Sequence, residues 1–304
     1  WTTYEYGELS TRGKSNITTD AQQPSNGLEK DYAFQWSQGV GETLTLLIPN
    51  AYGGASEPIL DEKSAVAKAL MAKGADAQQA TGFAQQMPVY WGPKPFTSGP
   101  WYFGAFVLFL FVFGLFIVRN HLKWWILATT ILFILLSFGK NFPLVSDLFF
   151  NYFPLYNKFR AVESILAVVG LMVPILAFLA VKEAQEGNID QKTLVKKLTW
   201  SAGITGGFAL LVALVPTLFF SFKTSNHLEI VQGLTQTTGN NAGLAQKIMD
   251  GLIKDRISIA RADAFRSFLF IVIGFGIVWA FITKKLNTQL AFGLLALAVL
   301  IDMW

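Results

Sequence analysis

Hydrophobic and polar positions divide the chain near residue 100. Before it, apolar residues come in short groups broken by Gly, Thr, Gln and Pro. None of these groups approaches the roughly 20 apolar residues that a membrane crossing takes. After it, apolar runs occupy about 101–118, 124–138, 164–181, 201–222, 267–282 and 289–304. The pattern predicts an all-α polytopic membrane protein. Residues 1–100 form an outward-facing segment capping a bundle of about six transmembrane helices in 101–304, with outward loops 139–163 and 223–265.

Finer signals mark individual elements. Ser64 is placed to cap a helix over A-V-A-K-A-L-M-A-K that stops at Gly74, and Asp76 to cap a second that ends before Pro88. E-T-L-T-L-L-I-P is too short to span and reads as a buried or interfacial piece. In the fourth span, Gly203 and Gly207 have the small-x-x-x-small spacing that lets helix backbones approach closely in lipid. Val145, Leu148, Phe149, Tyr152 and Phe153 recur at helical spacing, with Ser146, Asp147 and Asn151 opposite. That pattern predicts a short amphipathic helix ending at Pro154, lying at the outer surface with its aromatics in the interface.

Composition agrees with a bilayer environment: 52% of the 304 residues are hydrophobic and only 14% charged, against about a quarter charged in ordinary globular domains. A net charge of +4 is too small to suggest nucleic acid as a partner. With no cysteine there is no disulfide, thiolate metal site or Cys nucleophile. Loops 119–123, 182–200 and 283–288 hold eight Lys/Arg in 30 residues, whereas 139–163 and 223–265 hold eight in 68. The denser set is expected in the cytoplasm, which turns residues 1–100 outward. The chain opens on Trp1 and closes within an apolar run, and reads as an interior piece of a longer protein.

Most chemical motifs fail on spacing. S-T-R-G-K-S at 10–15 resembles a phosphate loop, but Glu8 stands where the first Gly is required, and Arg12 and Lys14 are left as a small basic cluster. His121 and His227 fall on opposite sides of the predicted membrane and cannot share an ion. No nucleophile elbow is present, and Asn16-Ile17-Thr18 is a glycosylation pattern too common to weigh. No cofactor is called for, and a divalent metal, though possible, has no support in this chain.

What remains is a concentration of cations on the outward side. After Pro154 the chain turns and dives, leaving Lys158 and Arg160 at headgroup level. Arg256, Arg261 and Arg266 enter the fifth span from the same side. Snorkelling of long basic side chains explains such a placement; so does recognition of a phosphate or pyrophosphate presented at the membrane surface, which suits Arg and Lys. Glu163 and Asp263 are the candidate supporting carboxylates, holding the arginines or taking part in acid–base work.

The strings W-T-T-Y-E-Y-G-E-L-S-T-R-G-K-S, F-Q-W-S-Q-G-V-G-E-T-L-T-L-L-I-P-N-A-Y-G-G, Y-W-G-P-K-P-F-T-S-G-P, Y-N-K-F-R-A-V and D-A-F-R-S together resemble the YfhO-like family of bacterial polytopic membrane proteins, which is grouped with membrane glycosyltransferases of the GT-C fold. The resemblance implies a bacterial inner-membrane location and transfer of a sugar from a polyprenyl-phosphate carrier on the outer side. It implies membrane lipids, the carrier and other membrane subunits as partners. In that class the catalytic carboxylate usually sits in an outward loop expected upstream of Trp1, so no catalytic residue is carried over. The other reading is a non-catalytic membrane scaffold or subunit that binds lipid or partner proteins.

Overall fold

The computed structural model describes residues 28–304; the S-T-R-G-K-S turn with Arg12 and Lys14, the acceptor Asn16 and the opening W-T-T-Y motif lie outside the described residues. Regular structure among the described residues is helical throughout. In chain order the helices are α1 (Lys30–Ala33), α2 (Ala65–Met71), α3 (Ala77–Ala84), α4 (Ala105–Ile117), α5 (Leu122–Ser137), α6 (Pro143–Tyr152), α7 (Leu166–Glu186), α8 (Gln191–Leu214), α9 (His227–Thr237), α10 (Ala242–Ile282) and α11 (Thr288–Met303).

Three helical segments are long and apolar enough to cross a membrane: Val162–Glu186, which contains α7, then α8 and α10. Helices α4, α5 and α11 are apolar but shorter. The apolar residues of these segments face outward to a large extent. Leu171, Phe178, Ile204, Leu211, Leu214, Val272 and Ile273 are all exposed. Side chains of this kind at that density are stable only against lipid or another apolar surface. The fold therefore defines a helical membrane protein.

Boundaries differ from the hydropathy reading where polar residues start or stop a helix. The run 201–222 belongs to a helix that begins ten residues earlier, because Asp190 accepts the Thr193 N–H at 2.8 Å as its N-cap. That helix ends at Leu214, and Pro216 opens a separate 3-10 turn. The larger difference is at 223–265. This stretch holds α9 and the first 24 residues of α10, a helix of 41 residues and about 60 Å in length.

The chain divides into two compact units. The larger comprises Leu44–Gly92, Phe96–Lys123 and Val173–Trp304. Within it, α2, α3, α9 and the polar half of α10 form a helical lobe with its own core. Val66, Ala67, Ala80 and Ala84 meet Leu234, Ala245, Ile248, Met249 and Leu252 there. Both expected caps are made: Ser64 accepts from Ala67 and Asp76 from Gln79. Asp255 reinforces the first by accepting the Ala65 and Val66 amides at 2.7 and 3.1 Å, placing a carboxylate at the positive end of α2.

A second core joins Ile48, Ala51, Trp91, Phe220 and Phe222 to Val212, Ala213, Ala260 and Ala264 of α8 and α10. E-T-L-T-L-L-I-P is thus a buried piece, a 3-10 turn with Ile48 fully buried and the Leu47 carbonyl accepting from Ser267. Gly206 marks the close approach of α8 to α10, since a Cβ there would meet the Ile271 side chain at 3.1 Å; a Cβ on Gly203 or Gly207 would meet nothing, so the expected pair does not make this contact. Lysines lie over aromatic faces at the opposite end of this unit: Lys197 is 4.6 Å from the Trp200 ring and Lys285 4.2 Å from Trp279. Such pairs are usual where helices leave the bilayer.

The smaller unit comprises the described part of Trp1–Thr43, Pro93–Pro95 and Trp124–Met172. It contains α1, α6 and the stretch on which the candidate cations Lys158 and Arg160 lie.

Candidate functional site

Residues 153–163 form a turn that is shaped by two strained positions. Leu155 has φ 65° and Ala161 φ 60°, a left-handed conformation that costs a non-glycine residue about 1–2 kcal/mol. Backbone hydrogen bonds from the 28–38 segment hold it. Leu28 donates to the Asn157 carbonyl at 2.9 Å, Ala161 to Ala33 at 3.2 Å and Glu163 to Trp36 at 3.3 Å. Beneath, Leu28, Ala33 and Phe34 pack against Phe150, Tyr156 and Val162. Burial pushes the Tyr156 phenol up to about 12, and its hydroxyl has no hydrogen-bond partner. This phenol stays neutral throughout the physiological range.

The cations occupy the outer side of this turn. Lys158 closes the 3-10 turn Tyr156–Lys158 and is half-buried. Arg160 is exposed, with its guanidinium donating to the Tyr32 hydroxyl at 2.6 Å and lying 5.6 Å from that ring's centroid. One phenol engages one of its five donors, so the fork remains able to meet a phosphate. Tyr152, Phe153, Leu155 and Phe159 around it are all exposed.

Behind the turn lies a group that sequence reasoning missed. Lys94 is buried with its ammonium 2.8 Å from Glu163 and 3.6 Å from Glu42, and it donates to Gln38 at 3.1 Å. Glu42 also accepts the Gly39 amide at 2.7 Å. Pro93 and Pro95 flank the lysine and leave its backbone little freedom. Three segments distant in sequence meet at one ammonium. The only sequence signal was a lysine between two prolines in P-K-P.

All but one of the remaining predicted residues have other employment. Arg256 does not face a ligand: it is 1% exposed, and its guanidinium donates to the carbonyls of Val89, Phe222 and Pro88 at 3.0, 2.7 and 2.6 Å. Its role as a phosphate contact is replaced by a structural one. Arg266 donates to the Asp302 carbonyl at 2.6 Å and lies over the Tyr102 and Phe270 rings. Asp302, buried, accepts from the Tyr102 hydroxyl at 2.5 Å and from the first turn of α4 through Phe106 at 3.0 Å. Arg261 is exposed on α10. Asp263 accepts the Asn50 amide at 2.8 Å and lies within electrostatic reach of Arg266. Glu163 is a supporting carboxylate, but for Lys94. Among the described residues, no group of three or more His, Asp or Glu side chains is arranged to hold a metal.

The site and fold therefore belong to a helical membrane protein with a cationic, aromatic-rimmed turn. No family model, curated protein or solved structure matches the chain.

Proposed function

We propose that this chain is part of a GT-C-like, six-span protein of the bacterial inner membrane that takes up a polyprenyl-phosphate-linked sugar on the outer side, with Lys158 and Arg160 contacting the carrier phosphate. The resemblance to the YfhO-like family motivates the reaction class. The single observation that carries the site is an exposed arginine on a rigid turn, beside Lys158 and rimmed by Tyr152, Phe153 and Phe159. A lipid-linked phosphate needs a cationic contact for its head and apolar surface for the first part of its tail. An inverting transfer also needs a carboxylate base near the acceptor. The carboxylates flanking the turn are committed, Glu163 to Lys94 and Asp147 to Lys30, so on this reading the base comes from outside the chain. That same commitment favours the second reading, a non-catalytic scaffold that binds lipid.

A charge-assisted contact contributes about 1.5–3 kcal/mol. Arg160→Gln and Lys158→Gln should therefore each weaken polyprenyl-phosphate binding roughly ten- to a hundredfold at matched folded yield. Titration of reconstituted protein with the phosphorylated and the unphosphorylated polyprenol measures this. Unchanged affinity in both variants would leave only anchoring for these side chains and would select the scaffold.

A further inference from the structure

We infer that the outer face of α6, together with the turn that follows it, is a docking surface for the headgroup region of an anionic lipid leaflet. The helix has two apolar faces rather than one. Its inner face is used: Phe150 meets Phe34 edge-on at 5.2 Å, Ser146 is fully buried, and Asp147 pairs with Lys30 at 2.8 Å. These contacts fix the rotation of the helix and correct the expected amphipathic pattern, in which Ser146 and Asp147 pointed to water. Among the described residues the opposite face is an unpartnered strip at i, i+4 and i+8: Leu144, Leu148 and Tyr152 are 77%, 57% and 80% exposed.

Three observations point to lipid as the occupant. First, the ten-residue helix reaches only about 15 Å and cannot cross a bilayer. Second, the apolar helices that contribute to the same unit also expose large apolar side chains, Trp125 and Ile131 of α5 and Leu171 of α7, as helices in contact with lipid do. Third, the strip runs into Phe153 and Phe159 and then into Arg160 beside Lys158. The only acid on α6 is neutralised by Lys30, so the rim is positive and complements anionic headgroups. This surface shares Lys158 and Arg160 with the proposed carrier site, but lipid contact along the strip needs no carrier.

The absence of cysteine allows a direct test with the whole chain. Leu144→Cys, Leu148→Cys, Tyr152→Cys and, as a water-exposed control, Lys73→Cys variants are spin-labelled in vesicles of phosphatidylethanolamine and phosphatidylglycerol lacking any polyprenol. At the three strip positions, collisions with dissolved oxygen should exceed those with a water-soluble nickel chelate severalfold, and the order should reverse at Lys73. In the Tyr152→Cys background, Arg160→Gln or replacement of phosphatidylglycerol by phosphatidylcholine should make the label shallower. Preference for the nickel chelate along the strip would place it in water; exclusion of both relaxants would mean that protein, such as a second copy, covers it. Either result overturns the inference, and neither depends on carrier binding.

Discussion

Arg256→Met should destabilise the helical lobe by about 2–6 kcal/mol, because two buried carbonyls and one part-buried carbonyl lose their donor at once and each unsatisfied buried polar group costs about 1–3 kcal/mol. The guanidinium reaches Pro88 and Val89 on one strand of chain and Phe222 on another, so it ties both to α10. Hydrogen exchange should speed up around α2, α3 and residues 85–92, while the buried amides of α4 and α11 keep their protection. Arg256→Lys should recover little, since one ammonium cannot reproduce a planar fork directed at three acceptors. Unchanged exchange in the lobe of the Met variant would show that these bonds contribute nothing net.

Lys94→Met should cost about 3–5 kcal/mol, the usual penalty for removing one partner of a buried ion pair. The loss arises less from the missing attraction than from leaving the Glu42 and Glu163 carboxylates in a site with little water; their side chains are 2% and 16% exposed. The cure follows from the cause. Adding Glu42→Gln and Glu163→Gln to Lys94→Met removes both carboxylate charges beside the lost ammonium and should restore most of the thermal stability in detergent. A triple variant no more stable than the single one would show that the ammonium acts by something other than neutralisation. Because Glu163 lies three residues after Arg160, the single variant should also loosen the 153–163 turn, seen as faster exchange at Ala161 and Glu163.

What could be read from the sequence was what short-range pattern encodes. Apolar runs located the apolar helices, three of them long enough to cross a membrane, since hydrophobicity along a helix needs no knowledge of tertiary contacts. The caps at Ser64 and Asp76 were legible for the same reason: each side chain bonds an amide three residues on. The lobe was missed because α10 changes solvent along its length. Ala245, Ile248, Met249 and Leu252 do carry helical spacing, but lysines and aspartates among them gave the stretch the composition of a loop. Arg256 and Lys94 were beyond reach in a stricter sense. Their partners lie 167 and 69 residues away, and nothing local distinguishes an arginine that binds backbone carbonyls from one that awaits a phosphate. The turn after Pro154 that carries Arg160 was legible from the proline, but the Tyr32 partner of Arg160 was not.

The proposed function requires the cationic turn to face outward, and the density of basic residues in the loops predicts the same for the helical lobe. Labelling with an impermeant thiol reagent in spheroplasts tests this directly, using single cysteines at exposed positions. Lys73→Cys in the lobe and Phe159→Cys on the turn should label, whereas Gln185→Cys and Thr288→Cys should stay protected until the membrane is permeabilised. Labelling of Gln185→Cys and Thr288→Cys, with protection of Lys73→Cys and Phe159→Cys, would invert the topology and contradict an outward-facing lipid-phosphate site.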